Sequence, residues 1–143
     1  MKIDIKFTPE EETLYLDFDN LKELKFIFED KNLEVDSINF EVDASSLQRL
    51  QMLSSLDKEI QFRDATNQII NLSGSQIKNY IPTIESKLGE RFEKINDIYN
   101  TYKVKLSAEE DITFYDASSG FFEYIYTTSF SEEEYENILN LSN

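Results

Sequence analysis

The feature that most limits how this chain can fold is a long run of apolar residues at helical spacing. Ile77, Ile81, Ile84, Leu88, Phe92, Ile95, Tyr99, Tyr102 and Leu106 follow one another mostly at steps of three and four, the repeat that lines one face of an α-helix. A helix over 75–105 would be roughly 45 Å long at about 1.5 Å per residue. Pro82 has no N–H to donate and its ring crowds the preceding turn, so a kink or a break is expected there. Taking Ile81, Leu88, Ile95 and Tyr102 as one heptad position puts Arg91 and Lys105 on the partner seam, with Phe92, Tyr99 and Leu106 beside it. That face is broader than a coiled-coil seam. The helix is therefore expected to pack against the chain's own sheet.

The residues ahead of this helix carry local signals of their own. Ser73-Gly74-Ser75-Gln76 has the form of a capping box, with Leu72 and Ile77 at the two positions of a hydrophobic staple. Ser45-Ser46-Leu47-Gln48 has a similar form and predicts an earlier helix, lined on one side by Leu47, Leu50, Leu53 and Leu56. Between the two, Ile60 and Phe62 alternate with Glu59, Gln61 and Arg63, as in a half-buried strand. Asp64-Ala65-Thr66-Asn67 supplies turn chemistry, since short polar side chains bond their own backbone. Ile70 and Leu72 resume the alternation, which predicts a β-hairpin.

In this order, Ser46-Leu47-Gln48-Arg49-Leu50, then Ile60-Gln61-Phe62-Arg63-Asp64-Ala65-Thr66-Asn67-Gln68, then Leu72-Ser73 with Ile77 on the next helix, the chain resembles a bacteriophage domain family of unknown function. Members of that family occur in tail-fibre and tail-assembly proteins, commonly towards their C-terminal ends. The resemblance covers about residues 40–106. The chain departs from the pattern at Phe62, where the family is associated with tryptophan, and in its acidic extension. The resemblance implies a phage protein associated with the tail and brings no catalytic residues with it.

The length of 143 residues suits one domain, here 1–143. Within it 1–39 is expected to supply strands, 40–106 the helix, hairpin and long helix, and 107–143 an acidic hairpin with a short helix. A 40% hydrophobic content supports a folded core. The chain has no cysteine and no histidine. It therefore lacks thiolate chemistry, the usual neutral-pH acid or base and the commonest transition-metal ligand. No signal-like apolar segment follows Met1, and no run reaches membrane-spanning length, so a soluble protein of the host cytoplasm or of the virion is expected.

The net charge of −15 is spread unevenly. Residues 1–40 hold 11 acids and 5 bases, residues 41–105 hold 9 of each, and residues 106–143 hold 9 acids and no base. Nucleic acid and anionic membrane would be repelled by such a chain, whereas a basic protein would be attracted.

At the N-terminus Ile3, Ile5 and Phe7 alternate with Lys2, Asp4 and Lys6, predicting a strand that Thr8-Pro9-Glu10-Glu11 ends. A second strand is expected over 13–18, with Leu14, Leu16 and Phe18 on one face. Leu21, Leu24 and Phe28 would fit a helix and Leu24, Phe26 and Phe28 a strand. The aromatics and isoleucine favour a strand over 24–29. Val35, Ile38, Phe40 and Val42 continue sheet character. Towards the C-terminus 112–115 reads as a strand, Asp116-Ala117-Ser118-Ser119-Gly120 as a turn and 121–130 as a second strand, with Phe122, Tyr124 and Tyr126 forming an aromatic face. Ser131 then caps a short helix whose Glu132, Glu133 and Glu134 suit the positive end of its dipole. The fold class expected is α+β, a mostly antiparallel sheet packed against one long helix and two shorter ones.

Candidate chemistry is sparse. Asp17-Phe18-Asp19 offers two carboxylates to a hard cation but lacks the further oxygens and glycine of a calcium loop, and a strand-end turn explains it. Glu109, Glu110, Asp111 and Asp116 could pair as acid and base, yet no spacing sets their separation. Ser73-Gly74-Ser75 lacks the lysine of a phosphate loop, and capping accounts for it. Arg63-Asp64 is expected to form a structural ion pair at the hairpin. Phe122, Tyr124 and Tyr126 have no basic residue nearby to support nucleobase stacking, which leaves a core or a protein interface.

The acidic segment is the most pointed feature. Glu109, Glu110, Asp111, Asp116, Glu123, Glu132, Glu133, Glu134 and Glu136 are a solvated surface at the least, and otherwise a set of carboxylates offered to a basic partner. No metal, cofactor or catalytic residue is expected. Two protein partners fit: a phage tail component, or a basic host protein such as a defence nuclease, blocked by carboxylates that mimic phosphates.

Overall fold

The computed structural model describes residues 14–142. The strand expected over 2–7, its Thr8-Pro9-Glu10-Glu11 end and the first residue of the next strand lie outside them. Among the described residues the order is α1 (Phe18–Glu29), β1 (Leu33–Val35), β2 (Ile38–Phe40), α2 (Ala44–Ser54), β3 (Glu59–Arg63), β4 (Ile69–Ser73), α3 (Gly74–Ser107), α4 (Phe114–Ile125) and α5 (Glu132–Ser142). The strands form two separate antiparallel hairpins, β1 with β2 and β3 with β4. This is an α+β arrangement in which helix dominates.

Helix α3 runs unbroken through Pro82, so the expected break is absent. Its start is the capping box read from the sequence. The Ser73 N–H donates to Gln76 Oε1 at 2.8 Å, and the Gln76 N–H donates to Ser73 Oγ at 3.1 Å. The apolar face does not meet one continuous sheet. It serves two compact units, one comprising residues 30–90 and the other, among the described residues, 14–29 together with 91–142.

In the 30–90 unit, Ile77, Ile84 and Leu88 of α3 are buried with Leu33, Val35, Ile38 and Phe40 of the first hairpin, Leu50 of α2 and Leu72 of β4. The Phe40 ring lies 5.7 Å from Phe62 and 5.6 Å from Tyr80. Asp36 and Ser37 join β1 to β2 with φ of 52° and 65°. Two successive positive values make a primed turn, whose twist matches that of the strands. The β3–β4 hairpin pairs Ile60 with Leu72 and Phe62 with Ile70. Ile60 and Phe62 are half-buried and their neighbours exposed, as the alternation requires. Helix α2 begins after Asp43, not at a serine box. Its N-cap makes no side-chain bond, and Ser46 Oγ instead donates to Glu41 Oε2 at 3.1 Å.

The other unit corrects the expected sheet. Residues 24–29 belong to α1, because burying Leu21, Leu24 and Phe28 together follows a helical repeat. Phe26, which a strand would have placed beside Leu24 and Phe28, is 50% exposed. The helix starts at a reciprocal cap in which the Asp17 N–H donates to Asn20 Oδ1 at 2.7 Å and the Asn20 N–H donates to Asp17 Oδ1 at 2.8 Å. Asp17 is therefore a cap and not part of a strand-end turn.

The strands expected over 112–115 and 121–130, and the turn between them, are also replaced. Phe114, Ala117, Ser118, Phe121 and Phe122 are buried on one face of α4, at steps of three and four. Thr113 Oγ1 accepts from the Asp116 N–H at 3.1 Å and caps this helix. Among the described residues, the strands expected at 13–18 and 112–115 are reduced to one bridge, Tyr15 opposite Thr113. Ser131 caps α5 as expected, accepting from the Glu134 N–H at 3.2 Å. The core of this unit joins Leu21, Leu24 and Phe28 to Ile95, Phe121, Tyr135 and Ile138.

Candidate functional site

The acidic residues come from three places. Glu109, Glu110 and Asp111 are exposed in the loop after α3, Asp116 and Glu123 are exposed on α4, and Glu132, Glu133 and Glu136 are exposed on α5, with Glu134 partly buried. Glu109 adopts φ 62°, and its N–H donates to the Leu106 carbonyl at 3.0 Å while the Glu110 N–H reaches that of Lys105 at 3.1 Å. This is a left-handed helix end of the kind glycine usually fills. Asp116, Glu123 and Glu132 are brought together around Tyr115. Burial pushes the Tyr115 phenol above its ordinary value, and the fields of Glu123, Asp116 and Glu132 push it the same way. Burial likewise raises Tyr102, with Asp116 and Glu123 adding to it.

The aromatic face expected from Phe122, Tyr124 and Tyr126 does not exist, because α4 and its C-cap replace the strand. Phe122 is buried, with its ring 4.8 Å from Tyr126 and 5.2 Å from Phe130. Tyr126 is partly buried and its phenol is pushed up, by burial first; Arg91 pulls it down and Glu134 pushes it up. Tyr124 is 44% exposed and points its hydroxyl to Asp97 Oδ2 at 3.4 Å. Arg91, a seam position in the heptad reading, is buried, and its guanidinium pKa is lowered by that burial.

A concavity lies in the 30–90 unit. A cleft of about 380 Å³ opens between α2 and β3. Ser46, Arg49, Leu50 and Leu53 come from the helix side, and the residues from Ile60 to Ala65 come from the strand side. Two of the segments on which the resemblance was read, 46–50 and 60–68, contribute residues to it, and Leu72, Ser73 and Ile77 do not. Composition and periodicity singled out no cleft, because it forms only when a helix and a hairpin distant in sequence pack together.

Asp64, at one end of this cleft, is buried and fully engaged. Its Oδ1 accepts from the Thr66 N–H at 2.9 Å, the Thr66 hydroxyl at 2.8 Å and the Gln68 N–H at 2.9 Å. Its Oδ2 accepts from the Asn39 N–H at 3.1 Å. The expected Arg63–Asp64 ion pair is not formed among the described residues, since backbone donors occupy the carboxylate instead. Burial alone would raise the Asp64 carboxyl, but the bonds from Asn39, Thr66 and Gln68 outweigh it and hold the pKa below the ordinary 3.8.

A depressed carboxylate stabilises the fold above its unfolded-state pKa, and that contribution is lost as pH falls through the folded value. Thermal unfolding of the wild type and Asp64→Asn between about pH 7 and about pH 3 should therefore show the variant less stable near neutrality. The gap should close below about pH 4, the unfolded aspartate range. Parallel curves across the range would refute this role.

Among the described residues no three histidine, cysteine, aspartate or glutamate side chains are grouped to hold a metal ion, and no helix is long and apolar enough to cross a membrane. Comparison of the chain with models of known families, with characterised proteins and with solved structures gave no match in any of the three.

Proposed function

We propose that this protein acts by contact with another protein and not by catalysis, and that its acidic end is the surface that meets a basic partner. One observation carries the reading: residues 106–143 contain 9 acids and no lysine or arginine, and eight of those carboxylates are exposed. No basic side chain of the same segment is present to neutralise them. A surface rich in charge of one sign speeds encounter with an oppositely charged protein and suppresses wrong partners. The lack of histidine and cysteine supports a non-enzymatic role. The resemblance to the phage tail-associated family supplies the setting, with a basic tail component as the first partner to seek.

The same carboxylates favour a second reading, an inhibitor that occupies the nucleic-acid site of a basic host nuclease. A pull-down from infected cells, scored for tail proteins against host nucleases, separates the two. Either partner should be lost when Glu132, Glu133 and Glu136 are changed together to glutamine. Binding should also weaken by about tenfold or more between low and moderate salt, as screening shortens the field to about 8 Å. Capture that is indifferent both to salt and to these substitutions would end the proposal.

A further inference from the structure

We propose that β3 is a contact between two copies of this chain. The open edges of two β3 strands pair antiparallel about a two-fold axis at Gln61 and join two hairpins into one four-stranded sheet. This inference concerns the 30–90 unit and stands apart from the acidic-end reading.

The hydrogen-bond pattern is the first argument. The Asp64 N–H donates to the Gln68 carbonyl at 3.0 Å, and the Gly74 N–H donates to that of Lys58 at 3.2 Å. These two bonds set the phase of the β3–β4 ladder, because opposed residues of an antiparallel pair are bonded alternately. Ile60, opposite Leu72, and Phe62, opposite Ile70, therefore turn their main-chain groups towards β4. Glu59, Gln61 and Arg63 turn theirs the other way. Among the described residues no backbone hydrogen bond from outside the hairpin reaches these three. Helix α2 does not close that side, since a cleft lies between it and β3. Just past the strand the edge ends, where the Ala65 N–H donates to the Asn39 carbonyl at 2.8 Å. The hairpin's other edge is less available, because the Ser73 N–H of β4 is taken by Gln76. An uncovered edge is a template for a further strand.

The second argument is what this edge carries. An antiparallel copy centred on Gln61 sets Glu59 opposite Arg63, Ile60 opposite Phe62 and Gln61 opposite itself. Glu59, Gln61 and Arg63 are exposed, and Ile60 and Phe62 are half-buried. Opposite charges therefore meet twice on one face, and isoleucine meets phenylalanine twice on the other. Cross-strand pairs of both kinds stabilise a sheet. A shift of two residues in either direction leaves one of the three outward residues beyond the end of the partner strand. The match is thus particular to this register. A two-fold contact uses the same patch on both copies and closes at a dimer. Charge also permits the approach, since residues 30–90 hold 10 acids and 6 bases and so carry the smaller part of the net −15.

The test is sedimentation equilibrium of the whole protein. A strand of five residues on each side is a small contact of the weak, transient class. The range to cover is therefore about 10 μM to 1 mM, and a monomer–dimer equilibrium is expected within it. Glu59→Arg and Arg63→Glu should each weaken it by about tenfold, because symmetry applies each change twice and sets like charges face to face. An equal mixture of the two variants should dimerise again, since every arginine then meets a glutamate across the contact. Circular dichroism of each variant verifies folding. The chain has no cysteine, so Gln61→Cys gives a second readout. Facing α-carbons about 5.5 Å apart lie within reach of a disulfide. Oxidised glutathione should link two copies of Gln61→Cys at least about tenfold faster than Asn71→Cys, whose site is exposed on β4. A chain that stays monomeric throughout that range, a dimer indifferent to both charge changes, a mixture that does not recover, or equal linking at 61 and 71 overturns the proposal.

Discussion

Replacing Phe121 by alanine is expected to destabilise the protein by about 3–5 kcal/mol, the range for a fully buried phenylalanine. Phe121 has no exposed surface. Its ring stacks on Phe28 of α1 at 5.5 Å and 8°, and on Tyr102 of α3 at 6.1 Å and 23°. Ring contacts from two different helices cannot both close in on an alanine, so a cavity would remain and its lining would lose dispersion contacts. A domain typically holds about 5–15 kcal/mol of net stability, so one such loss consumes a large share of it. Urea unfolding followed by circular dichroism measures the effect. A change below about 1 kcal/mol would mean that the ring is not in the packed core.

The second large effect comes from Gly74, where the same substitution has opposite signs at two places in one helix. A Cβ at Gly74 would fall on the Leu56 carbonyl oxygen, with the Leu56 carbonyl carbon at 3.0 Å and the Leu53 carbonyl oxygen at 3.2 Å. These are backbone atoms at the end of α2 and just beyond it, and they cannot swing aside as a side chain can. Gly74→Ala should therefore cost about 1–3 kcal/mol, as overpacking does, more than the gain of about 0.5–1 kcal/mol from better helix propensity. Gly89 lies in the same helix with nothing within 4 Å of a Cβ placed there. Gly89→Ala should accordingly stabilise by about 0.5–1 kcal/mol. Thermal unfolding of the pair tests the contrast, and equal shifts of the same sign would refute the contact with Leu56.

Local chemistry made part of this fold readable without coordinates. The Ser73–Gln76 box, the Ser131 cap, the Ile60–Phe62 alternation and the long apolar face of α3 each rest on interactions within a few residues, which a chain carries wherever it folds. The readings that failed used the same information incompletely. Asp17 with Asn20 and Thr113 with Asp116 are also helix starts, followed by apolar residues at helical spacing. The density of aromatic residues around Phe26 and Phe122 suggested strands instead. Strand preference reports how side chains pack, so it yields when a helix buries more of them.

What no local reading could supply is which apolar faces meet. Face periodicity says that α3 must be covered, but not that one length of it is covered by two small hairpins and α2 while another is covered by α1, α4 and α5. The cleft beside β3 belongs to the same category. Arg49 and Arg63 were visible as letters; that they line one cleft follows from how α2 packs beside the hairpin. Short-range hydrogen bonds and periodicity are properties of the chain, whereas the pairing of surfaces depends on every element competing at once to bury its apolar side.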